Sequence, residues 1–325
     1  MRGLTRRRRD RRPLPTPRAR FARLREERGG IAIMLALIMP LFFGAAAIAI
    51  DSAAVWSARQ QVLSGADAAV LAVATDCARD NCGDIKKTAE DAFWANDLAA
   101  KLSNLGAGEG LIKVSGRNIS VTQTMPWEVN HFFAGALGYD TGELSVRSYA
   151  QWAPLVKARS ELPIAIGYCT YEDLALPLAA KKTVSLGVGE ASGGNCTTPG
   201  PNGTSSKAGI AFTESDGSCR TSTVWKGTYT RDSAVLQGPL PSGCTNASFT
   251  SMIGRDVVIP VWDTQQGQEY RVYGYAAFHV TGWTGSGARK LTGYFTHLAR
   301  QVDDATPPPT TAPDLGARAV FLTKN

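Results

Sequence analysis

The side chains that usually carry catalysis or bind metals are sparse in this 325-residue chain. Its three histidines are His131, His279 and His297, and none has the i,i+4 spacing of a metal-binding helix or a cysteine at zinc-finger distance. His279 lies in an alternating segment on the same face as Tyr273 and Tyr275, which is typical of a structural histidine on a sheet. The histidines therefore predict neither a metal site nor an acid–base catalyst.

Motifs for nucleophiles, phosphates and cations are also incomplete. The segment TGSGARK at 284–290 has neither the G-x-S-x-G spacing of a serine hydrolase nor the G-x-x-x-x-G-K-[ST] pattern of a phosphate loop. GVGEASGG at 187–194 does not fit a dinucleotide fingerprint. Asp51 begins a failed D-x-S-x-S cation pattern, because Ala53 and Val55 occupy the serine positions. We predict a protein that is not an enzyme, with no cofactor, no metal and no small-molecule substrate.

The cysteines indicate disulfides. All six lie in the part of the chain after residue 50, without a C-x-x-C pair: Cys77, Cys82, Cys169, Cys196, Cys219 and Cys244. An even number without metal-ligand spacing is typical of an oxidising compartment, and six cysteines allow fifteen connectivities. Cys77–Cys82 closes a local CARDNC loop, and for the other four we favour Cys169–Cys196 and Cys219–Cys244.

The positive charge is concentrated at the N-terminus. Residues 1–28 hold twelve arginines against Asp10, Glu26 and Glu27, a local net of +9, whereas the whole chain has a net charge of +7. The remainder therefore carries a net charge of −2. A nucleic-acid-binding protein needs basic residues on a folded face, so this distribution argues against a nucleic-acid partner.

An uncharged apolar run follows the arginine-rich tail. Its residues from Ile31 to Ile50 number 20, enough to span about 30 Å of bilayer as a helix. We predict a single-pass helix in the cell membrane, bounded by Gly29 and Gly30 on one side and by Asp51 on the other. The positive-inside rule places the N-terminus in the cytoplasm and the C-terminal domain outside it. The cytoplasmic membrane is thus a predicted partner.

A cleaved secretory signal is the alternative to a retained anchor. Ala47-Ile48-Ala49 fits an A-x-A cleavage pattern. The apolar run is longer than the roughly 7–15 residues of a signal core, and a long tail precedes it. Retention of the helix is therefore favoured.

Helical periodicity continues beyond the apolar run to about Thr75. Small apolar residues recur there at steps of three and four, a period of 3.6: Val55, Ala58, Val62, Ala66, Ala69 and Val73. This stripe either packs on the protein's own outer domain or forms a docking face for another long helix, because small residues allow close approach. The sequence leaves both interpretations open.

The rest of the chain changes from helix to strand. Ile85 to Lys101 predicts a second helix and 131–138 a short one, while 112–114, 118–124 and 143–152 alternate as strands. Further predicted strands are 162–168, 257–262, 270–281, 293–299 and 317–323. Residues 187–207 and 303–314 have the Gly, Ser, Thr and Pro content of loops or linkers.

These elements predict an α+β protein: a long N-terminal transmembrane helix, a small helix–strand module and a β-rich, disulfide-containing outer domain. The predicted divisions are a basic cytoplasmic tail (1–28), the transmembrane helix (29–50), a helical stalk (51–103), a small α/β module (104–153), the β-rich outer domain (154–300) and a Pro/Thr-rich segment with a possible final strand (301–325).

The N-terminal part of the chain resembles that of TadG-like proteins of Flp (tight-adherence) pilus assembly and has the TadE/TadG-like order of features. The resemblance covers the stretch ERGGIAIMLALIMPLFFGAAAIAIDSAAVWSARQQVLSGADAAVLAVA. Those features are Glu27-Arg28-Gly29, Pro40 near the helix centre, Asp51, then Ala58 and Arg59, and the small-residue run from Gly65 to Ala69. Downstream, LPIAIGYC, IPVWDTQQGQEYRVYGYAAFHVTGW and GYF resemble actinobacterial members of that group.

The resemblance implies a membrane-anchored, non-enzymatic accessory or scaffold protein of pilus assembly or secretion, with pilin-like or pilus-secretion subunits as partners. Counting from Gly30, Leu35 stands where prepilin-peptidase substrates have Glu, so we expect no prepilin cleavage. The alternative is a surface-exposed adhesion or ligand-binding protein. Its candidate surface is an aromatic-rich strand, although packing of these rings in the core or on the sheet is the favoured interpretation: Tyr270, Tyr273, Tyr275, Phe278 and Trp283.

Overall fold

A computed structural model describes residues 28–95, 111–127, 133, 142–175, 177–187, 209–233, 239–266, 269–302 and 311–323. The predicted tail up to residue 27, all of the predicted short helix except Phe133, most of the 187–207 loop and Cys196 lie outside these residues. Packing divides the chain into two compact units, Met1–Ala58 with Trp127–Gly142 and Arg59–Pro126 with Glu143–Asn325.

The first element is one continuous helix, α1, which runs from Arg28 to Ala78 over 51 residues. It includes Pro40, and at 1.5 Å per residue it is about 75 Å long. The large apolar side chains of its first half, from Ile31 to Ile50, are exposed. Among the described residues this is the one helix long and apolar enough to cross a membrane. The predicted unbroken helix to Thr75 is confirmed.

A closed turn separates α1 from the next helix. The predicted disulfide Cys77–Cys82 is confirmed and spans this turn. Asp84 then caps helix α2 (Ile85–Trp94), because its side chain accepts a hydrogen bond from the Lys87 N–H at 3.1 Å. Helix α2 ends at Trp94, and the remainder of its predicted extent lies almost entirely outside the described residues.

The other elements are numbered along the chain. The strands are β1 (Leu111–Ser115), β2 (Asn118–Trp127), β3 (Gly142–Pro154), β4 (Lys157–Ser160), β5 (Ile164–Gly167), β6 (Val184–Gly187), β7 (Ile210–Thr213), β8 (Thr221–Val224), β9 (Thr228–Ser233), β10 (Asp256–Gln266), β11 (Glu269–Thr284), β12 (Lys290–Thr296), β13 (Leu298–Gln301) and β14 (Ala317–Leu322). Two short helices are α3 (Tyr168–Ala175) and α4 (Asn246–Thr250). The predicted α+β class is confirmed.

The first sheet has the order β1-β2-β3-β14-β13 and combines strands that are distant in sequence. Its predicted strands β1, β2, β3 and the final strand β14 are all present. In the antiparallel pairing of β14 with β3, Val320 lies opposite Trp152. A strand from the last predicted segment is therefore built into the sheet of the small α/β module.

The second sheet has the order β10-β5-β7-β9-β11-β12-β6. Strand β10 pairs with β5 on one side and with β11 on the other, so five of these strands close into a barrel. Strands β12 and β6 extend from the far part of β11. A separate antiparallel pair joins β4 to β8.

Two predicted strands differ from the structure. The segment 162–168 forms a strand only over Ile164–Gly167, because Tyr168 begins α3 and donates a hydrogen bond one turn ahead to Glu172 at 2.5 Å. The segment 293–299 is divided at His297, where the chain passes from β12 in the second sheet to β13 in the first. At Tyr168 a local helix replaces the strand, and at His297 pairing with two different sheets divides it.

The first sheet is covered on both faces. Val146, Ala150 and Val320 pack in one cluster with the C-terminal half of α1 and with α2. Ala319 and Phe321, the neighbours of Val320 in β14, pack in another cluster with Val258 and Tyr275 of the second sheet. This alternation follows from the period of two along a strand. The helices, the first sheet and the second sheet thus form three layers. Strand β14 belongs to the middle layer and contacts both of the others.

We predict that Gly65→Val destabilises the folded protein. A Cβ atom at this position would lie 2.8 Å from a ring carbon of the buried Phe93, and overpacking of this kind costs about 1–3 kcal/mol. The measurement is urea unfolding of the full chain in detergent micelles. Ser64→Val, the matched change at the adjacent exposed position, is the control. Equal unfolding midpoints for the two variants would contradict this close contact.

Candidate docking surface

The predicted small-residue stripe is partly buried inside the protein's own domain. Val62, Ala66, Ala69 and Val73 belong to the cluster that contains the strand residues Ile119, Val146 and Val320. For these four residues the structure favours the packing interpretation of the stripe, since their side chains are already covered. Val55 is half-buried and Ala58 is buried, and both belong to the other compact unit.

Beside the buried stripe, a second row of α1 side chains lines an open groove of about 1070 Å³. The row consists of residues spaced by four, which places them on one helix face: Arg59, Leu63, Asp67 and Leu71. The opposite wall is formed by residues 145–149 of β3, by 320–323 at the end of β14 and by 301–302 at the end of β13. The groove therefore lies between helix and sheet.

The C-terminal end of β14 lies at this groove. Strand β14 ends at Leu322, and the following Thr323 N–H donates to the Tyr149 carbonyl at 2.9 Å. Strand β3 continues past this point, so residues 145–149 line the groove beyond the end of β14. Ser148 Oγ donates a hydrogen bond to Asp67 and joins the helix to the sheet at the groove wall.

The groove carries both apolar and charged contacts. Leu63 and Leu71 are half-buried and pack against the core, while Arg59 is exposed at one end of the row. Arg59 and Asp67 are eight residues apart, about 12 Å along the helix. This surface can receive an extended or helical segment through apolar contacts, with ionic groups that select its register. The four-residue spacing of the helix row can be seen in the sequence. The opposite wall formed by residues 320–323 cannot, because it depends on the pairing of β14 with β3.

A cluster of charges fixes the C-terminal end of α1 to the sheet. Arg318 of β14 donates to the Ala78 carbonyl at 2.9 Å, to Asp80 at 2.6 Å and to Asp314 at 2.9 Å. A guanidinium is well placed there, because the last carbonyls of a helix lack partners and carry partial negative charge. His297 Nε2 lies 3.0 Å from Asp80. Sequence reasoning did not identify this cluster, because Arg318 and Ala78 are 240 residues apart.

Burial and charge shift the pKa values in this cluster. Burial lowers the pKa of His297, and the nearby Arg318 lowers it further. Burial raises the pKa of Asp80, but the hydrogen bond and charge of Arg318, together with His297, lower it overall. Burial lowers the pKa of Arg318, but its bonds to Asp80 and Asp314 raise it overall. Arg318 and Asp80 thus favour each other's charged forms, while burial favours the neutral form of His297.

The predicted membrane-boundary residues all lie in α1. The helix begins at Arg28 and includes Gly29 and Gly30 in its first turn. Asp51 is in mid-helix and is buried, and its carboxylate accepts a hydrogen bond from the Phe133 N–H at 3.4 Å. Asp51 is therefore covered by another segment of the same compact unit.

The histidines have structural contacts in the described part of the chain. His279 Nδ1 lies 2.7 Å from Asp256, and its ring stacks on Tyr294 with centroids 4.8 Å apart. His297 belongs to the Arg318 cluster, and His131 lies outside the described residues. Among the described residues, no group of three or more His, Cys, Asp or Glu side chains is placed to hold a metal ion.

The remaining predicted residues are the last four cysteines and the aromatic residues of strand β11. Cys219–Cys244 is confirmed. Cys169 is also disulfide-bonded, and its predicted pairing with Cys196 stays a prediction because Cys196 is not described. In the aromatic strand, Tyr270, Tyr275 and Phe278 are fully buried, and Tyr273 and Trp283 are half-buried against the core. The favoured interpretation, that these rings pack in the core, is therefore confirmed, and the strand does not present the exposed aromatic surface considered for adhesion.

Residues 29–76 match the model of the Flp pilus-assembly TadE/G-like family. The matched segment lies within α1 and includes both its exposed apolar half and the part that lines the groove. The match confirms the resemblance of the N-terminal region and associates this helix with Flp pilus assembly. The resemblance of the downstream region stays a prediction. No curated protein and no solved structure matches the chain.

We predict that Arg318→Gln lowers the free energy of unfolding by about 2–3 kcal/mol, because charged partners lose their hydrogen bonds in a largely buried site. The matched control is Arg117→Gln, since Arg117 also contacts Asp314, at 3.5 Å, but is half exposed. Its expected cost is below about 1 kcal/mol. Urea unfolding of both variants in micelles measures the difference. Similar losses would show that the Arg318 cluster does not anchor the helix end.

The His297 cluster also predicts a pH dependence of stability. The folded pKa of His297 is lowered, so the unfolded chain binds a proton at a higher pH than the folded chain does. Stability should therefore fall as the pH decreases from about 7 toward 5, by at most about 1.4 kcal/mol per pH unit for one proton. Unfolding curves of the wild type and His297→Gln across this range test the assignment. An unchanged slope in His297→Gln would refute it.

Proposed function

We propose that this protein is a membrane-anchored, non-enzymatic accessory or scaffold protein of Flp-type pilus assembly. One observation carries the proposal: the family match at 29–76 falls on a single helix that combines an exposed apolar half with a half built into a folded domain. The helix thus joins a membrane anchor to an outer domain without a break.

The anchoring role rests on the first half of α1. Its apolar side chains from Ile31 to Ile50 are exposed over a length of about 30 Å, which matches the hydrocarbon thickness of a bilayer. Such a continuous apolar surface is unfavourable in water. The arginines of residues 1–28 place the N-terminus in the cytoplasm by the positive-inside rule, and the outer domain lies on the opposite side.

The scaffold role rests on the second half of α1. There, one face of the helix is buried in the domain core, and the neighbouring face lines the groove. A pilin-like or pilus-secretion subunit would occupy this groove with an apolar segment. An acidic group of that segment would pair with Arg59, and a basic group would approach Asp67. Leu63 and Leu71 supply the apolar contact between these charges.

The non-enzymatic role is supported by the roles of the residues that could do chemistry. His279 and His297 pair with carboxylates in structural contacts, and Asp263 and Arg271 form an ion pair with 2.6 Å between Oδ2 and Nη2. The cysteines of the two described pairs are disulfide-bonded. An adhesion function is less well supported, because the aromatic side chains considered for it pack in the core.

Site-specific photo-crosslinking in cells tests the proposal. A photoreactive residue is placed in the groove at Arg59 or Leu63 and, as a matched control, on the adjacent exposed face at Gln60 or Ser64. We expect pilin-like or pilus-secretion subunits to be captured from Arg59 and Leu63, at several-fold higher yield than from the control positions.

The possible outcomes test the pilus-assembly function and the groove as its docking surface separately. Pilus subunits captured equally from both faces would support pilus assembly but exclude the groove as the docking surface. Capture of general envelope proteins alone, from all four positions, would overturn the pilus-assembly proposal.

A further inference from the structure

The hydrogen bond between Phe133 and Asp51 holds Phe133 at the end of the apolar run. Asp51 is the first charged residue after Ile50, and its carboxylate accepts the Phe133 N–H at 3.4 Å. The Phe133 Cα atom is one bond from that nitrogen, so it lies within about 5 Å of the carboxylate. The level of Phe133 along α1 is therefore that of Asp51.

Two large aromatic side chains are exposed near this level. Phe133 is 48% exposed, and Trp56 is 65% exposed. Trp56 is five residues beyond Asp51, about 7.5 Å along the helix axis. Side chains of a helix lean toward its N-terminus, so the indole leans back toward the apolar run. Both rings thus lie close to the end of the surface that α1 exposes from Ile31 to Ile50.

We propose that Phe133 and Trp56, on different sides of α1, both contact lipid in the headgroup layer of the leaflet on the outer-domain side; together they are called the lipid-contact patch. The patch rests on the proposed membrane anchor. A bilayer of about 40–45 Å has a hydrocarbon core of about 30 Å, which leaves a layer of roughly 5–8 Å on each side. Asp51 at the hydrocarbon boundary places Phe133 at the base of this layer and Trp56 near its outer limit.

Lipid, and not a second protein, is the occupant that the surroundings favour. Both side chains are exposed near the end of an apolar helix surface of bilayer length, and aromatic side chains are enriched where apolar and aqueous surroundings meet. The carboxylate of Asp51 is buried and hydrogen-bonded, so its charge does not face the lipid. Phe133 is therefore a second membrane contact besides the helix.

Lipid photo-crosslinking of the full chain in vesicles of phosphatidylcholine and phosphatidylglycerol tests this patch. A photoreactive residue replaces Phe133 or Trp56, with Ile48 inside the apolar run as positive control and Gln60 as negative control. Gln60 is exposed and nine residues beyond Asp51, about 13 Å along the helix and outside the headgroup layer. We expect lipid adducts from 133 and 56 at a yield at least several-fold above that from 60.

The outcomes distinguish this patch from the anchor. Adducts from 48 but not from 133 and 56 would overturn the patch and leave the anchor intact. An absence of adducts from 48 as well would overturn both.

A second variant tests the role of the hydrogen bond. Asp51→Ala removes the acceptor of the Phe133 N–H and should reduce lipid adducts from 133 several-fold, while adducts from 56 on the helix itself stay unchanged. An unchanged yield from 133 would show that Asp51 does not hold Phe133 at the membrane.

Discussion

The close approach of α1 to the first sheet is the constraint on which the rest of the outer domain depends. Ala66, Ala69, Val73 and Ala74 present small side chains to the strands and are almost completely buried. Gly65 has no side chain at all, and the Phe93 ring of α2 fills that space. Short side chains lose little conformational entropy when they are buried, and they let the helix backbone approach closely. Larger residues on this face would displace both α2 and the sheet from the helix.

Strand β14 transmits this constraint to the second sheet. Its alternate residues face opposite layers, with Val320 toward the helix and Phe321 toward β10 and β11. Arg318, two residues before Val320, binds the final carbonyl of α1 and the turn that follows. The C-terminal strand therefore holds the helix end, completes the first sheet and packs on the second. Its last residues also line the groove.

These features give the long helix two different surroundings along its length. The first half exposes its apolar residues, and the second half has one face in the core and one face in the groove. The family match covers both halves, although the domain around the second half is built from residues beyond the match. In the proposed function, a membrane anchor that is also a core element of the folded domain suits a scaffold, since displacement of a bound partner would act directly on the helix.

The sequence by itself determined α1, the α+β class and the long strands β10 and β11, and it favoured the disulfides Cys77–Cys82 and Cys219–Cys244 that the structure contains. Composition and periodicity are local properties, and over long segments they specify one element without help from the rest of the chain. Short strands such as β4, β6 and β7 were missed because four residues carry too little pattern. The tertiary structure alone decided that β14 pairs with β3, that Arg318 binds the end of α1 and that Asp51 meets Phe133. Each of these contacts joins residues more than 80 positions apart, where only the packing of helix and sheets brings them together.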